Sequence, residues 1–447
     1  MTQTTRFQVY FFAQNISPPK KTTSNMTKPK NKKLSKRFGY IPVATILQKK
    51  ELTRLIVDYV MAFKKHGGYR WDAEMISNPA PFFYFVVTGG TEQKVLQLRE
   101  KRKKIAPKEP VFLIAHPGNN SLPAALEVLA RLQQENVTGR IFYLKGPEDK
   151  PRFQQIEEAV SDLVTFHALQ QARIGLVGPS SDWLVASSPD TQIVPKMWGP
   201  QVVAIDLEEL KATLQTMLDE TIQPSLDSLV SRASQVQEPS ETELQDAVRV
   251  YAATKQLAEK YHLDTIAMRC FDLILDLKTT GCFALAQLND EGIVAGCEGD
   301  LVSTVAMLWI SKLLNQSSWM ANPAQMDIEH NTLWLAHCTV PRNMIEEYRL
   351  RSHFESGLGV GIQGKLSTGP ATVLRLGGKT LERIWLADGE ILQSGHADNL
   401  CRTQVKVRLT RDGDVEKLLS TPLGNHLVLV QGHHAHRLRS WWETMIA

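Results

Sequence analysis

The 447-residue chain has little cysteine: five residues, Cys270, Cys282, Cys297, Cys338 and Cys401, none in a Cys-x-x-Cys pair. An odd count without paired spacing argues against a disulfide framework and for free thiols in a reducing cytoplasm. No run of about 18 apolar residues appears, so no membrane span is expected. The glycine loops Gly89-Gly90 and Gly178-Pro179 complete neither a GxGxxG nor a P-loop pattern, which disfavours nucleotide binding. Neither a GxSxG elbow nor a protease-like Cys/His signature is present. Residues 1–37 hold no acid and nine Lys/Arg, and taking those nine from the chain's net charge of +4 leaves −5 for the rest. The body therefore carries no nucleic-acid footprint. The tail, rich in Thr, Asn, Pro and Lys, reads as disordered.

What is present describes a globular protein of more than one domain: 43% hydrophobic and 22% charged residues on a chain too long for a single ordinary core. Residues 50–65 read as an amphipathic helix. Apolar strand-like runs at 82–87, 111–115 and 140–144 alternate with helical stretches, Ser121 standing as N-cap of a helix over 122–134. A second unit starts at Arg173, with strands at 174–177 and 201–205 and long helical stretches at 207–230 and 241–261. Strand, loop and helix in alternation imply parallel sheets with helices on both faces. From Asn322 the texture changes to short segments at 333–337, 359–366, 371–376, 382–387, 404–409 and 426–431. Gly-Gly and Asp-Gly turns separate them, an all-β signature of a small barrel or sandwich.

The densest chemistry is Gly296-Cys297-Glu298-Gly299-Asp300, at a strand-to-helix corner. Two carboxylates flanking a glycine there can enter one cleft, and carboxylate oxygens suit Mn²⁺ or Mg²⁺. The competing reading is an N-cap and a helix-dipole partner. Asp272 ends another apolar stretch, and alone it reads as a surface or capping residue. His337 sits in Leu335-Ala336-His337-Cys338 on an expected strand, where a lone histidine is more often a core residue than a ligand. His426 stands at the mouth of the last strand. The run His433-His434-Ala435-His436 lies at the start of a terminal helix with no matching acid nearby, which sets it aside as a metal site.

These segments in this order resemble the L-fucose isomerase and L-arabinose isomerase superfamily, above all its shorter fucose-isomerase-like members. The resemblance runs over about 38–447 and rests on Gly292-Ile293-Val294-Ala295-Gly296-Cys297-Glu298-Gly299-Asp300, on 331–338 and on 369–376. It implies an α/β fold: two doubly wound parallel-sheet domains, 38–172 and 173–322, followed by a C-terminal β-barrel domain, 323–447. It implies a cytoplasmic, metal-dependent aldose–ketose isomerase that uses Mn²⁺, or another divalent cation such as Mg²⁺ or Co²⁺. The enzyme would act on a monosaccharide through an enediol, as a homo-oligomer (trimer or hexamer) whose neighbouring subunit often completes the site. Glu298 matches the arabinose-type ligand glutamate, and Asp300 the fucose-type aspartate two residues on. Asp272 takes the place of a fucose-type glutamate, one methylene shorter. His337 and His426 match the strand and C-terminal histidines.

One arabinose-type ligand carboxylate is missing, since the corresponding segment reads Trp319-Met320-Ala321-Asn322. The fucose-type set Asp272, Asp300 and His426 is then favoured as metal ligands with Glu298 as the alternate, and Asp272 and Asp300 as the acid–base pair. His337, Asn119, Asn120, Ser121 and Trp183 are the candidates for substrate binding, though capping and turn formation explain the loop residues as well. Two alternatives accompany this: a non-catalytic sugar-binding or regulatory protein, motivated by Ala321, and an isomerase of a sulfonated or phosphorylated hexose, for which Arg269, Arg342 or Arg402 would supply the cation.

Overall fold

A computed structural model describes residues 37–45, 49–410 and 413–446. The basic tail expected over 1–37 lies, Arg37 apart, outside the described residues. The first sheet has five parallel strands in the order Gly68–Arg70, Phe38–Val43, Phe82–Val86, Val111–Ala115 and Gly139–Tyr143. Its central strands are apolar at every position because both faces are covered. Phe83 and Phe85 enter one core while Phe82, Tyr84 and Val86 enter another on the opposite face. The second sheet has four parallel strands, in the order Val294–Gly296, Thr265–Met268, Arg173–Val177 and Gln201–Ile205.

The helices begin and end where local chemistry dictates. Ser240 and Glu243 form a capping box at the start of Glu241–Tyr261. Asp300 caps Leu301–Leu314, whose residues are almost all buried. The single helical stretch expected over 207–230 is two helices, Leu207–Gln215 and Asp219–Arg232. Ser121 is a second departure. The N-cap is Asn120, in a left-handed conformation, and the Ser121 hydroxyl instead donates to the Val86 carbonyl and accepts from the His116 amide. That ties the loop to the sheet.

A closed six-stranded antiparallel barrel follows, in the order Trp319–Asp327, Thr332–His337, Thr403–Leu409, Arg383–Gly395, Gly369–Gly377 and Leu427–Gln431. The segment expected at 359–366 is a strand, Gly361–Lys365, but it stands outside the barrel. It pairs with Glu347–Arg351, which in turn pairs with Gln235–Val236. One apolar core runs from the first sheet through Trp309, Trp319 and the barrel interior to Trp441. That shared packing sets the end of the second sheet against the barrel mouth.

Candidate metal centre

Among the described residues, one group of metal-competent side chains converges: Glu298, His337 and His426, all buried, with ligand atoms within 4.8 Å of one another. Each comes from a different element. Glu298 occupies the turn between strand Val294–Gly296 and helix Leu301–Leu314, in a left-handed conformation (φ 61°). Such a backbone in a non-glycine residue is a local cost that persists only where its surroundings enforce it. Here they do: the Ser181 amide donates to the Glu298 carbonyl at 2.9 Å, the Gly299 amide to the Met268 carbonyl at 2.9 Å, and the Ser180 hydroxyl to the Gly299 carbonyl at 2.8 Å. Gly299 also has positive φ, and a Cβ there would meet the Pro179 carbonyl oxygen at 2.9 Å. His337 ends a barrel strand, and His426 immediately precedes the last one.

The carboxylate of Glu298 is divided between two tasks. Oε2 accepts from the Trp183 indole N–H at 2.6 Å. Oε1 lies 3.4 Å from His426 Nε2 and 4.0 Å from His337 Nε2. The far ring nitrogens are tied down: His426 Nδ1 to Asp300 Oδ2 at 2.9 Å, and His337 Nδ1 to Thr339 Oγ1 at 2.9 Å. With Nδ1–H given to Asp300, loss of the second ring proton leaves a lone pair on His426 Nε2, and this fully buried nitrogen has no hydrogen-bond partner among the described residues. One carboxylate oxygen and two imidazole Nε2 atoms facing a common point are a donor set for a first-row divalent ion, with positions left for substrate.

Charge follows the geometry. Burial acts against protonated His426, but Asp300 and Glu298 overcome it and raise its pKa to about 9. Burial and then the neighbouring His426 lower His337 to about 4. Burial works to raise Glu298, yet His426, His337 and the Trp183 N–H hold it below the usual range. Asp300 is likewise penalised by burial, and Arg375, His426 and Ser303 keep it ionised. The Asp300 carboxylate accepts from the Ser303 amide and hydroxyl, each at 2.8 Å, and from Arg375 Nη1 at 3.2 Å.

The residues anticipated from the sequence fall into four places. Glu298, His337 and His426 form the group. Asp300 and Trp183 hold that group: Asp300 orients His426 from behind, and Trp183 orients Glu298. Asp272 stands apart from it. Its carboxylate accepts from Arg269 Nε at 2.9 and 3.0 Å in the first turn of helix Phe271–Leu277, and it is about one-third exposed. Asn119 and Asn120 border a separate open cleft, with Thr45, Thr88, Gly89 and Gly90, at the carboxyl ends of the first sheet's strands.

The pocket beside Glu298 and His337 is lined by Phe271, Asn322, His353, Glu355 and the chain's cysteines. Among the described residues no lysine or arginine lines it. Arg269 pairs with Asp182 and Asp272, Arg342 with Asp290, and Arg402 donates to the Ser352 carbonyl and hydroxyl. Sequence reading missed Arg375, Thr339, His353 and Glu355. Arg375 alone left a trace, as a charge inside the apolar run Thr372-Val373-Leu374-Arg375-Leu376.

No protein-family model matches the chain. It is similar to a protein named sulfoquinovose isomerase from Alkalicoccus urumqiensis, 21% identical over 335 residues that cover 70% of this chain and 75% of the relative. A protein of the same name from Clostridium sp. (strain MSTE9) is 22% identical over 344 residues, 73% of this chain and 74% of the relative. A third, from Priestia aryabhattai, is 21% identical over 199 residues, 44% of each chain. The likeness therefore spans most of the chain at low identity, and these relatives share one name.

Proposed function

We propose that the protein is a divalent-metal-dependent aldose–ketose isomerase acting on a monosaccharide, with Glu298, His337 and His426 as the metal ligands. The observation that carries this reading is the buried, unpartnered Nε2 of His426 facing Glu298 and His337. The name shared by the homologues supports the reaction class.

Moving a carbonyl from C1 to C2 requires removing a proton from C2 and returning one to C1 through an enediol. A divalent ion in the site supplies electrophilic stabilisation of the oxyanion that develops as the proton leaves. The protein's own residues prepare that step. Trp183 fixes Glu298 Oε2 and leaves Oε1 free, while Asp300 and Thr339 fix the two imidazoles by their Nδ1 atoms. Burial of all three ligands excludes bulk water and strengthens each electrostatic contact. Asp300 is a positioning residue in this scheme, because its oxygens are engaged by Ser303, Arg375 and His426. His353 and Glu355 line the pocket outside the ligand group, and they are the side chains placed to carry a proton.

A sulfonated hexose is the substrate class that the relatives' name favours. The arginines first considered for it are engaged elsewhere, so the preference rests on the relatives alone. The test is aldose–ketose conversion by chelator-treated protein with and without added Mn²⁺, in deuterated water, over a panel of plain, phosphorylated and sulfonated hexoses. Metal-dependent exchange at a sugar C–H is expected. Its absence across the panel sinks the proposal, and exchange confined to plain sugars removes the sulfonated substrate while keeping the isomerase.

A further inference from the structure

All five cysteines of the sequence line the pocket that holds Glu298 and His337, although they come from five separate places in the chain. Within it, Cys270 Sγ and Cys297 Sγ touch at 2.7 Å. The two residues follow neighbouring parallel strands, Thr265–Met268 and Val294–Gly296, whose register pairs Ala267 with Gly296. The contact is therefore set by the sheet and not by a mobile loop.

A thiolate metal site does not account for it. Among the described residues no three cysteines converge as ligands do. The 2.7 Å spacing is also too short to bracket an ion, since two sulfurs on one tetrahedral zinc with bonds near 2.3 Å lie about 3.8 Å apart. What two thiols at this spacing can do is join: the S–S bond of about 2.05 Å needs only a small further approach. Both thiols are nearly buried, at 4% and 3% exposure, and the Cys270 contact together with burial pushes the Cys297 thiol up, so geometry and not acidity singles out the pair. The cavity beside them, about 40 Å³, has room for a few water-sized molecules, and the partly exposed Cys401 also lines it.

We propose that Cys270 and Cys297 form an oxidisable dithiol, at which hydrogen peroxide closes an intrachain disulfide. One sulfur attacks a peroxide oxygen and becomes a sulfenic acid as the O–O bond breaks and water leaves. The second sulfur displaces the sulfenic hydroxyl, which departs as a second water. The two thiols lose two electrons and two protons, and the peroxide is reduced to two waters. The bond links residues 27 positions apart and ends one residue before Glu298, so the oxidation state of the pair governs the backbone freedom of the site's carboxylate. This inference stands on the thiol contact and goes beyond the reading of the site as a metal centre.

The experiment uses the full chain, reduced, desalted, exposed to excess hydrogen peroxide, then denatured and alkylated. The thiol titre is expected to fall from five to three per chain, with a Cys270–Cys297 cross-linked peptide in the mass map and full recovery on adding reductant. Cys401→Ser should still lose two thiols, whereas Cys270→Ser and Cys270→Ala should lose none. An unchanged titre overturns the proposal, as does loss that maps to Cys282, Cys338 or Cys401, or oxidation of single thiols without the cross-link. If neither Cys270 variant folds, the wild-type peptide map decides alone.

Discussion

His426 Nδ1 lies 2.9 Å from Asp300 Oδ2, and that one contact decides which nitrogen of the ring faces Glu298. Asp300 is itself locked by Ser303 and by the buried Arg375. The chain from Arg375 through Asp300 to His426 is thus a support for one ligand nitrogen, of the kind that tunes metal affinity from behind the ligands.

Replacing Asp300 by Asn removes the charge that Arg375 and His426 share. Divalent-ion affinity should fall by about 10- to 100-fold. Stability should drop by about 3–5 kcal/mol, because Arg375 is left buried without its counter-charge. Calorimetric Mn²⁺ titration and urea unfolding measure the two effects. Wild-type affinity in a folded Asp300→Asn protein would show that the support is unimportant.

Asp272→Asn separates the two ligand sets considered from the sequence. Its carboxylate faces Arg269 and solvent, so the change should cost less than about 1 kcal/mol and leave Mn²⁺ affinity unaltered. Glu298→Gln should abolish measurable binding in the same titration. A result in which Asp272→Asn loses the ion and Glu298→Gln keeps it would replace the present ligand set.

Metal binding should release a proton. The imidazole of His426, raised to about 9, is protonated near neutrality when no ion is bound, and an ion must displace that proton to reach Nε2. His337, lowered to about 4, is already neutral there and adds none. Apparent affinity should therefore rise about tenfold per pH unit between roughly pH 6 and 8. Titration in buffers of different ionisation enthalpy reads the released proton directly, and a flat pH profile would contradict it.

Gly299→Ala tests the turn that presents Glu298. With φ of 67° and the Pro179 carbonyl oxygen 2.9 Å from the added carbon, the substitution should cost about 1–3 kcal/mol. Because Glu298 is the preceding residue, Mn²⁺ affinity should fall together with the denaturation midpoint. A change in stability alone would mean that Glu298 holds its place without this turn.

A second buried charge group predicts acid sensitivity. Burial works to raise Glu109, but Arg102 and His167, hydrogen-bonded to it, hold it below its ordinary range. A carboxylate depressed in the folded state adds stability above its unfolded pKa, near about 4.3, and that stability is lost as pH falls through the folded value. Urea midpoints measured from about pH 6 down to about pH 3 should decline more steeply for the wild type than for Glu109→Gln. Parallel declines would place the acid sensitivity elsewhere.

Much of the fold was legible in the sequence because both sheet classes write their burial into local pattern. Continuous apolar runs such as Phe82–Val86 need two covered faces, and the short segments after Asn322 with Gly and Asp-Gly turns need an antiparallel sheet. The partnership of Gly361–Lys365 was not legible, since its residues fit a barrel edge as well as the small sheet they join. Local sequence also marked the Cys297-Glu298-Gly299-Asp300 corner as chemical, because two acids around a required glycine are conspicuous in one dimension. Which acid faces the pocket is decided by rotation along the backbone. The left-handed turn at Glu298 and Gly299 sends Glu298 toward the histidines, while Asp300 begins the helix and turns inward to Arg375, 75 positions away. Likewise, cysteines without paired spacing gave no sign that they would meet. Only the parallel register of two strands, and the packing of the second sheet against the barrel, brings Cys270 to Cys297 and all five thiols to one pocket.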